Sequence, residues 1–332
     1  MMGRTSLIYL IFLLLSHTVS IVSAQSVLPP PQEQKDYVAL FNSAARLYEQ
    51  GRYSKAIKTL KQALRRRPDW PEAYNSLCVV YARVNQLDDA IRACRRSIKL
   101  EPRLVNAFYN LGVIYNRLER DREAAEAFKE AISLKPDYAE AFYSLGGVYA
   151  DLGQEREGIE AVKKAVNLKP DFLEAYCELA GLYYKYERYE ESIDALKTAL
   201  SLKPDFAEAY NNLGIVYISA GQYREAVDAL TEAISISPSY GDAHHHLGLS
   251  YFKLGKKKEA VKAYQQAIAL KPDSADSRYG LALVCLALRR RGEALEQQRA
   301  LESMDVVLAR KLYREIYKEM LVEVGRAESP PK

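Results

Sequence analysis

AFYSLGGVYADLGQEREGIEAVKKAVNLKPDF (141–172) and AYNNLGIVYISAGQYREAVDALTEAISISPSY (209–240) are the same pattern written twice, in register over their whole length. Within each, small and apolar residues recur three and four apart, which is the spacing of one buried face on a helix. A short break near Gly153 and Gly221 divides each stretch into two such helices. Working outward, the same pattern returns every 34 residues, with units beginning at Tyr37, Pro71, Val105, Ala139, Leu173, Ala207, Gly241 and Ala275. Eight units of 34 end at Leu308, and no insertion breaks the register. A fixed period of this kind belongs to stacked repeat architectures, in which one unit cannot bury its apolar face alone.

The recurring places have physical roles. The eighth is Ala44, Cys78, Gly112, Gly146, Ala180, Gly214, Gly248 and Ala282, and the twentieth is Ala56, Ala90, Ala124, Gly158, Ser192, Ala226, Ala260 and Ala294. Small side chains there let the two helices of a unit approach closely. Tyr81, Tyr115, Tyr149, Tyr183, Tyr217 and Tyr251 at the eleventh place fill the space around them, which accounts for much of the total of 25 tyrosines. Gly51, Gly153, Gly221 and Gly255 suit the left-handed residue that ends a helix. Pro68, Pro102, Pro136, Pro170, Pro204, Pro238 and Pro272 close the first seven units, since proline is tolerated at a helix boundary and not inside one. Arg67, Lys135, Lys169, Lys203 and Lys271 precede five of them and complement the exposed carbonyls of a helix end. The last unit departs from the pattern at Arg289, Leu301 and Val306. Asp305 is placed to cap a final helix over about 306–322, with Leu308, Leu312, Ile316 and Met320 on one face.

These residues resemble the tetratricopeptide repeat (TPR) family over nearly all of the chain beyond residue 36. The resemblance implies an all-α fold: a right-handed α-solenoid of eight 34-residue helix-turn-helix units over 37–308, closed by a C-terminal capping helix that continues through 309–322. Parts of the array, FAEAYNNLG (206–214) above all, are similar to the repeats of O-linked N-acetylglucosamine transferases. The chain has no room for that enzyme's catalytic domain, so the resemblance implies recognition and not transfer. Asn42, Asn110 and Asn212 match that family's groove asparagines, while Ser76, Ser144, Glu178, His246 and Gly280 interrupt the row. By the same resemblance the first helices line a concave groove. Its expected surface is Tyr109, Tyr143 and Tyr279 at the fifth place and Tyr48, Tyr184 and Phe252 at the twelfth. Arg83, Arg117, Lys185 and Lys253 stand at the thirteenth, opposite Glu72, Glu140, Glu174, Glu208, Asp242 and Asp276 at the second. Such a surface suits an extended peptide with apolar and charged residues.

The chain's ends read differently. Residues 1–24 have the form of a signal peptide, with Arg4, an apolar Leu7–Leu15 core and small residues at Val22-Ser23-Ala24. Uncleaved, the segment would serve as an N-terminal anchor. Residues 25–36 read as an exposed leader and 323–332 as a loose tail. The expected location is exported, periplasmic or extracellular, with no transmembrane segment after processing.

At 332 residues, 48% apolar and 27% charged, the composition is globular. A net charge of +4 does not suit a nucleic-acid binder driven by bulk charge. No phosphate loop, nucleophile elbow or HExxH is present, and no cofactor, metal ligand set or catalytic residue is expected. His244, His245 and His246 are consecutive and point about 100° apart on a helix, so they cannot share a metal. Arg65-Arg66-Arg67, Arg95-Arg96 and Arg289-Arg290-Arg291 read as solvated helix ends, with anionic lipid or wall polymer as the alternative. Cys78 and Cys94, at the eighth and twenty-fourth places of one unit, are expected as buried reduced thiols, with a bridge, which export would permit, as the alternative; Cys177 and Cys285 are expected to be unpaired. The sequence thus points to a non-catalytic exported scaffold for a peptide or protein segment. A glycan or cell-envelope recognition module and a subunit of a pilus or secretion assembly are the alternatives.

Overall fold

A computed structural model describes residues 32–327, with side chains placed over 36–318. The signal-peptide segment and residues 25–31 of the leader lie outside the described residues. Residues 32–36, expected in the leader, already belong to the first helix. The chain forms two compact bodies, one ending at Leu182 and one beginning at Tyr183.

Among the described residues every regular element is an α-helix, and helices follow one another in pairs. The first body holds α1 (Gln32–Glu49) with α2 (Tyr53–Arg66), α3 (Pro71–Arg83) with α4 (Leu87–Leu100), and α5 (Val105–Arg117) with α6 (Asp121–Leu134). Then come α7 (Ala139–Asp151) with α8 (Glu155–Leu168), and α9 (Leu173–Lys185), which runs across the division. The second body continues with α10 (Tyr189–Leu202), α11 (Ala207–Ser219) with α12 (Tyr223–Ile236), and α13 (Gly241–Lys253) with α14 (Lys257–Leu270). It ends with α15 (Ala275–Ala287), α16 (Arg291–Glu302) and a single helix, α17 (Val306–Ala327).

Local chemistry sets these boundaries. Pro71 opens α3, where its missing N–H costs nothing. Asp305 caps α17 as the sequence suggests, its Oδ1 accepting from the Val307 and Leu308 N–H groups at 2.9 Å each. Helix α17 reaches Ala327, so residues 323–327, expected in the tail, are helical. Leu312 and Ile316 face inward from it onto Leu301, Leu281 and Cys285.

Packing inside four of the pairs is a match between a glycine and a larger residue sixteen places later. A Cβ on Gly112 would lie 2.7 Å from the Phe128 ring, and one on Gly248 2.9 Å from Tyr264. Gly214 faces Leu230 at 2.5 Å, and Gly146 faces Val162 closer still. The small eighth residue is thus the hole and the twenty-fourth the knob. Cys78 and Cys94 occupy these two places in α3 and α4, and neither is bulky. They form a disulfide with Cα atoms 5.3 Å apart, which corrects the expected reduced thiols. Where no large side chain fills the hole, the two sulfurs meet in it. Cys177 and Cys285 are free thiols, as expected, and both are buried.

The second residue after each first helix turns into the left-handed region in every pair. Glycine holds it at Gly51, Gly153, Gly221 and Gly255, while Asn85, Glu119, Glu187 and Arg289 adopt φ of 55–61° with a side chain.

Candidate first-helix recognition surface

The eleventh-place tyrosines are structural, and cations hold them. Tyr81 and Tyr115 are buried. Lys61 lies 5.5 Å over the Tyr81 ring, Arg95 donates to the Tyr115 hydroxyl at 2.7 Å, and Lys129 stands 5.4 Å over Tyr149. In each case a second helix reaches the first helix that follows it. The cations before proline have a related role that sequence reasoning assigned to helix ends alone. Arg67, Lys135, Lys169 and Lys203 each sit 4.5–5.3 Å over the aromatic three residues on: Trp70, Tyr138, Phe172 and Phe206. Two of this row also tie down second-place carboxylates, Lys169 with Glu140 at 3.2 Å and Lys271 with Asp242 at 2.6 Å.

The fifth place behaves differently from the expected groove wall. Phe41 packs on Trp70 (centroids 4.7 Å), Tyr109 on Tyr138 (5.0 Å) and Phe128 (5.6 Å), and Tyr143 on Phe172 (5.2 Å). Tyr109 is only 5% exposed, so it is a core residue and not a surface one. The cause is the aromatic at the end of the same unit, which closes over it. Tyr143 is half-buried, and its phenol is raised well above the usual range by burial and then by Glu178 and Glu174. Tyr279 keeps an edge at the surface, with Lys311 5.1 Å over its ring.

At the twelfth and thirteenth places the expected residues do reach the surface. In the first body Tyr48 is half-buried against Tyr53 (5.4 Å), and exposed Arg83 is held above its ordinary pKa chiefly by its hydrogen bond to Tyr53. Arg117 is exposed but committed, donating to the Ala82 carbonyl (2.7 Å) and to Asn85 Oδ1 (3.2 Å). In the second body Tyr184 is half-buried and shares a hydrogen bond of 3.2 Å with Ser219, beside exposed Lys185. Phe252 is likewise half-buried beside exposed Lys253.

Successive first helices are also joined by polar bonds that sequence reasoning missed. Asn110 Nδ2 donates to Asn75 Oδ1 (2.9 Å) within the first body. His246 Nδ1 donates to Asn211 Oδ1 (3.0 Å), and His245 shares a hydrogen bond with Ser277 Oγ (3.0 Å) in the second. The signal was present: Asn75 and Asn211 stand where other units have an aromatic. His244 Nε2 donates instead to the Pro238 carbonyl (3.1 Å). The three rings therefore take three different partners, and no group of three metal-ligating side chains occurs among the described residues.

Burial, then the neighbouring His245, pulls the His246 pKa down to about 3. Unfolding returns it to about 6.5. Below that value the unfolded chain binds a proton that the fold refuses, so stability falls as pH drops from about 6.5 towards 3. At pH ~5 the loss approaches about 2 kcal/mol. Asn stands at the equivalent place as Asn110 and Asn212, so His246→Asn should remove this part of the loss. Melts of the two proteins at pH ~7 and ~5 check it; an equal decline in both overturns the assignment.

A family model described as TPR repeat matches residues 45–85, 114–153, 182–219, 216–255 and 248–288, and a second, Tetratricopeptide repeat, matches 139–172. Among solved structures the chain is similar to a tetratricopeptide repeat protein from Parabacteroides merdae, with 18% identity over 75% of this chain and 99% of that one and a TM-score of 0.54. It is similar to pilF of Pseudomonas aeruginosa, with 18% identity over 64% and 97% and a TM-score of 0.53. MamA is 32% identical over 50% and 96%, with a TM-score of 0.47. No curated protein matches the chain.

Proposed function

Because the chain belongs to the tetratricopeptide repeat family, we propose that it is a non-catalytic scaffold that binds an extended peptide or protein segment along its first helices. We read it as eight 34-residue units in a right-handed solenoid closed by α17, and as an exported protein. The observation that carries the binding reading is the recurrence, in both bodies, of a half-buried aromatic with an exposed cation beside it: Tyr48 with Arg83, Tyr184 with Lys185, Phe252 with Lys253. An aromatic edge contributes most when a partner desolvates it, and the cation orients the partner's charge. No helix of the described residues is long and apolar enough to cross a membrane.

The test uses positions where the fold itself accepts alanine, since Ala82 and Ala150 stand at the twelfth place in two units. Peptides selected from a displayed library on the unsubstituted protein should bind Tyr184→Ala/Phe252→Ala at least tenfold more weakly, about 1.4 kcal/mol. Circular dichroism should be unchanged. Undiminished binding by the double variant would remove the twelfth place from the site and with it the groove reading.

A further inference from the structure

The chain's positive charge is concentrated in its first two helix pairs. Residues 37–104 carry fourteen basic and six acidic side chains, a surplus of eight, whereas the surplus of the whole chain is four. Much of the excess lies on exposed faces of α2 and α4, where Lys61 and Arg95 also reach Tyr81 and Tyr115 of the following first helices. Lys55, Lys58, Lys61 and Arg65 are all exposed and recur three and four apart along α2, and Arg92, Arg95 and Lys99 do so along α4. Each series is a single stripe of like charge, which weakens a helix at this spacing.

Folding does not require that arrangement, because the same places are filled otherwise in the rest of the chain. The twenty-second place is Lys58 and Arg92 in the first two units, but Glu126, Glu160, Asp194, Asp228 and Glu296 in five of the other six. Those acidic residues are exposed too. The twenty-ninth is Arg65 and Lys99 in the first two units and an uncharged residue in every later one. Internal pairing does not absorb the charge: Arg66 meets Asp36 (2.8 Å) and Arg92 meets Asp89, while Lys58, Arg65 and Lys99 form no ion pair among the described residues.

We propose that the outer faces of α2 and α4 form a docking surface for anionic phospholipid headgroups. The stripes lie on the outsides of two successive pairs, with no enclosing walls. That arrangement meets a sheet of phosphates better than a single strand tracked through a groove. Its aromatics are turned inward, Trp70 being buried and Tyr53 packed on Tyr48, so the stacking platform that single-stranded nucleic acid uses is missing. These pairs are also the part of the array nearest in sequence to the apolar Leu7–Leu15 run.

The experiment compares the protein, as recovered from its host, with Lys58→Glu/Arg65→Ser/Arg92→Glu/Lys99→Ser, which installs residue types already found at these places in later units. Each is sedimented with phosphatidylcholine vesicles and with vesicles containing about one-third phosphatidylglycerol. The unsubstituted protein should favour the anionic vesicles and release them as salt rises to about 0.5 M. The variant should bind about a hundredfold more weakly, and circular dichroism shows whether it is folded. The salt response of the unsubstituted protein stands as a readout even if the variant fails to fold. Equal binding to both vesicle types, undiminished binding by the folded variant, or capture by oligonucleotide or inorganic polyphosphate with none by vesicles would overturn the proposal. Peptide binding along the first helices is untouched by any of these outcomes.

Discussion

Tyr109→Ala should cost the first body about 3–5 kcal/mol, the range for emptying an aromatic site in a packed core. The ring lies between Phe128 and Tyr138 with 5% of its surface exposed. Both neighbours are themselves fixed, Phe128 by the hole at Gly112 and Tyr138 by Lys135 over its face. Stacked helix pairs share stability mainly with their neighbours, so the loss should show as early unfolding of the region around α5 and α6. Thermal melts with hydrogen exchange measure it. Tyr109→Phe keeps the ring and should melt within about 1 kcal/mol of the unsubstituted protein. A Tyr109→Ala protein that melted normally yet lost peptide binding would return this residue to the surface.

The second large effect lies in the hole between α3 and α4. A bridge closing a loop of about 15 residues contributes about 3 kcal/mol, and Cys78 and Cys94 are 16 apart. Reduction should remove that amount, and Cys78→Ala/Cys94→Ala should leave an unfilled site as well. The other units suggest the repair: Ala44 with Leu60 and Ala180 with Leu196 occupy the same two places, so Cys78→Ala/Cys94→Leu should recover most of the loss. Denaturation midpoints order the three proteins. The export proposed above would place the chain in the oxidising conditions that the bridge needs. Mass spectrometry of protein from its own host should therefore find a chain beginning at Gln25, joined at 78–94, with free thiols at 177 and 285 only. Four free thiols would sink the bridge, and a retained Met1 would identify the segment as an anchor.

What the sequence discloses here follows from distance along the chain. The helix pairs, the Asp305 cap and the small eighth place rest on spacings of three, four and 34, which the unaided sequence displays. The fifth-place tyrosines read as surface from sequence because their covering aromatics stand 29 residues later, Tyr138 over Tyr109 and Phe172 over Tyr143. No helical periodicity reveals that relation. The disulfide is hidden for a similar reason: the eighth place reads as a hole, but the relation to its complement sixteen residues on crosses from one helix to the next and shows no helical period. The twelfth and thirteenth places reach the surface as expected, although Arg117 is bound to the preceding helix and turn.

The left-handed turns have a consequence for anyone wishing to make the molecule more durable. A side chain held in that conformation costs about 1–2 kcal/mol relative to glycine's easy access to it, and Asn85, Glu119, Glu187 and Arg289 each bear that burden. Asparagine bears it most lightly, and Asn85 also receives Arg117, which leaves three sites with latitude. They lie on neither the twelfth-place aromatics nor the basic outer stripes, so a formulation chemist could work on shelf life there without disturbing either surface.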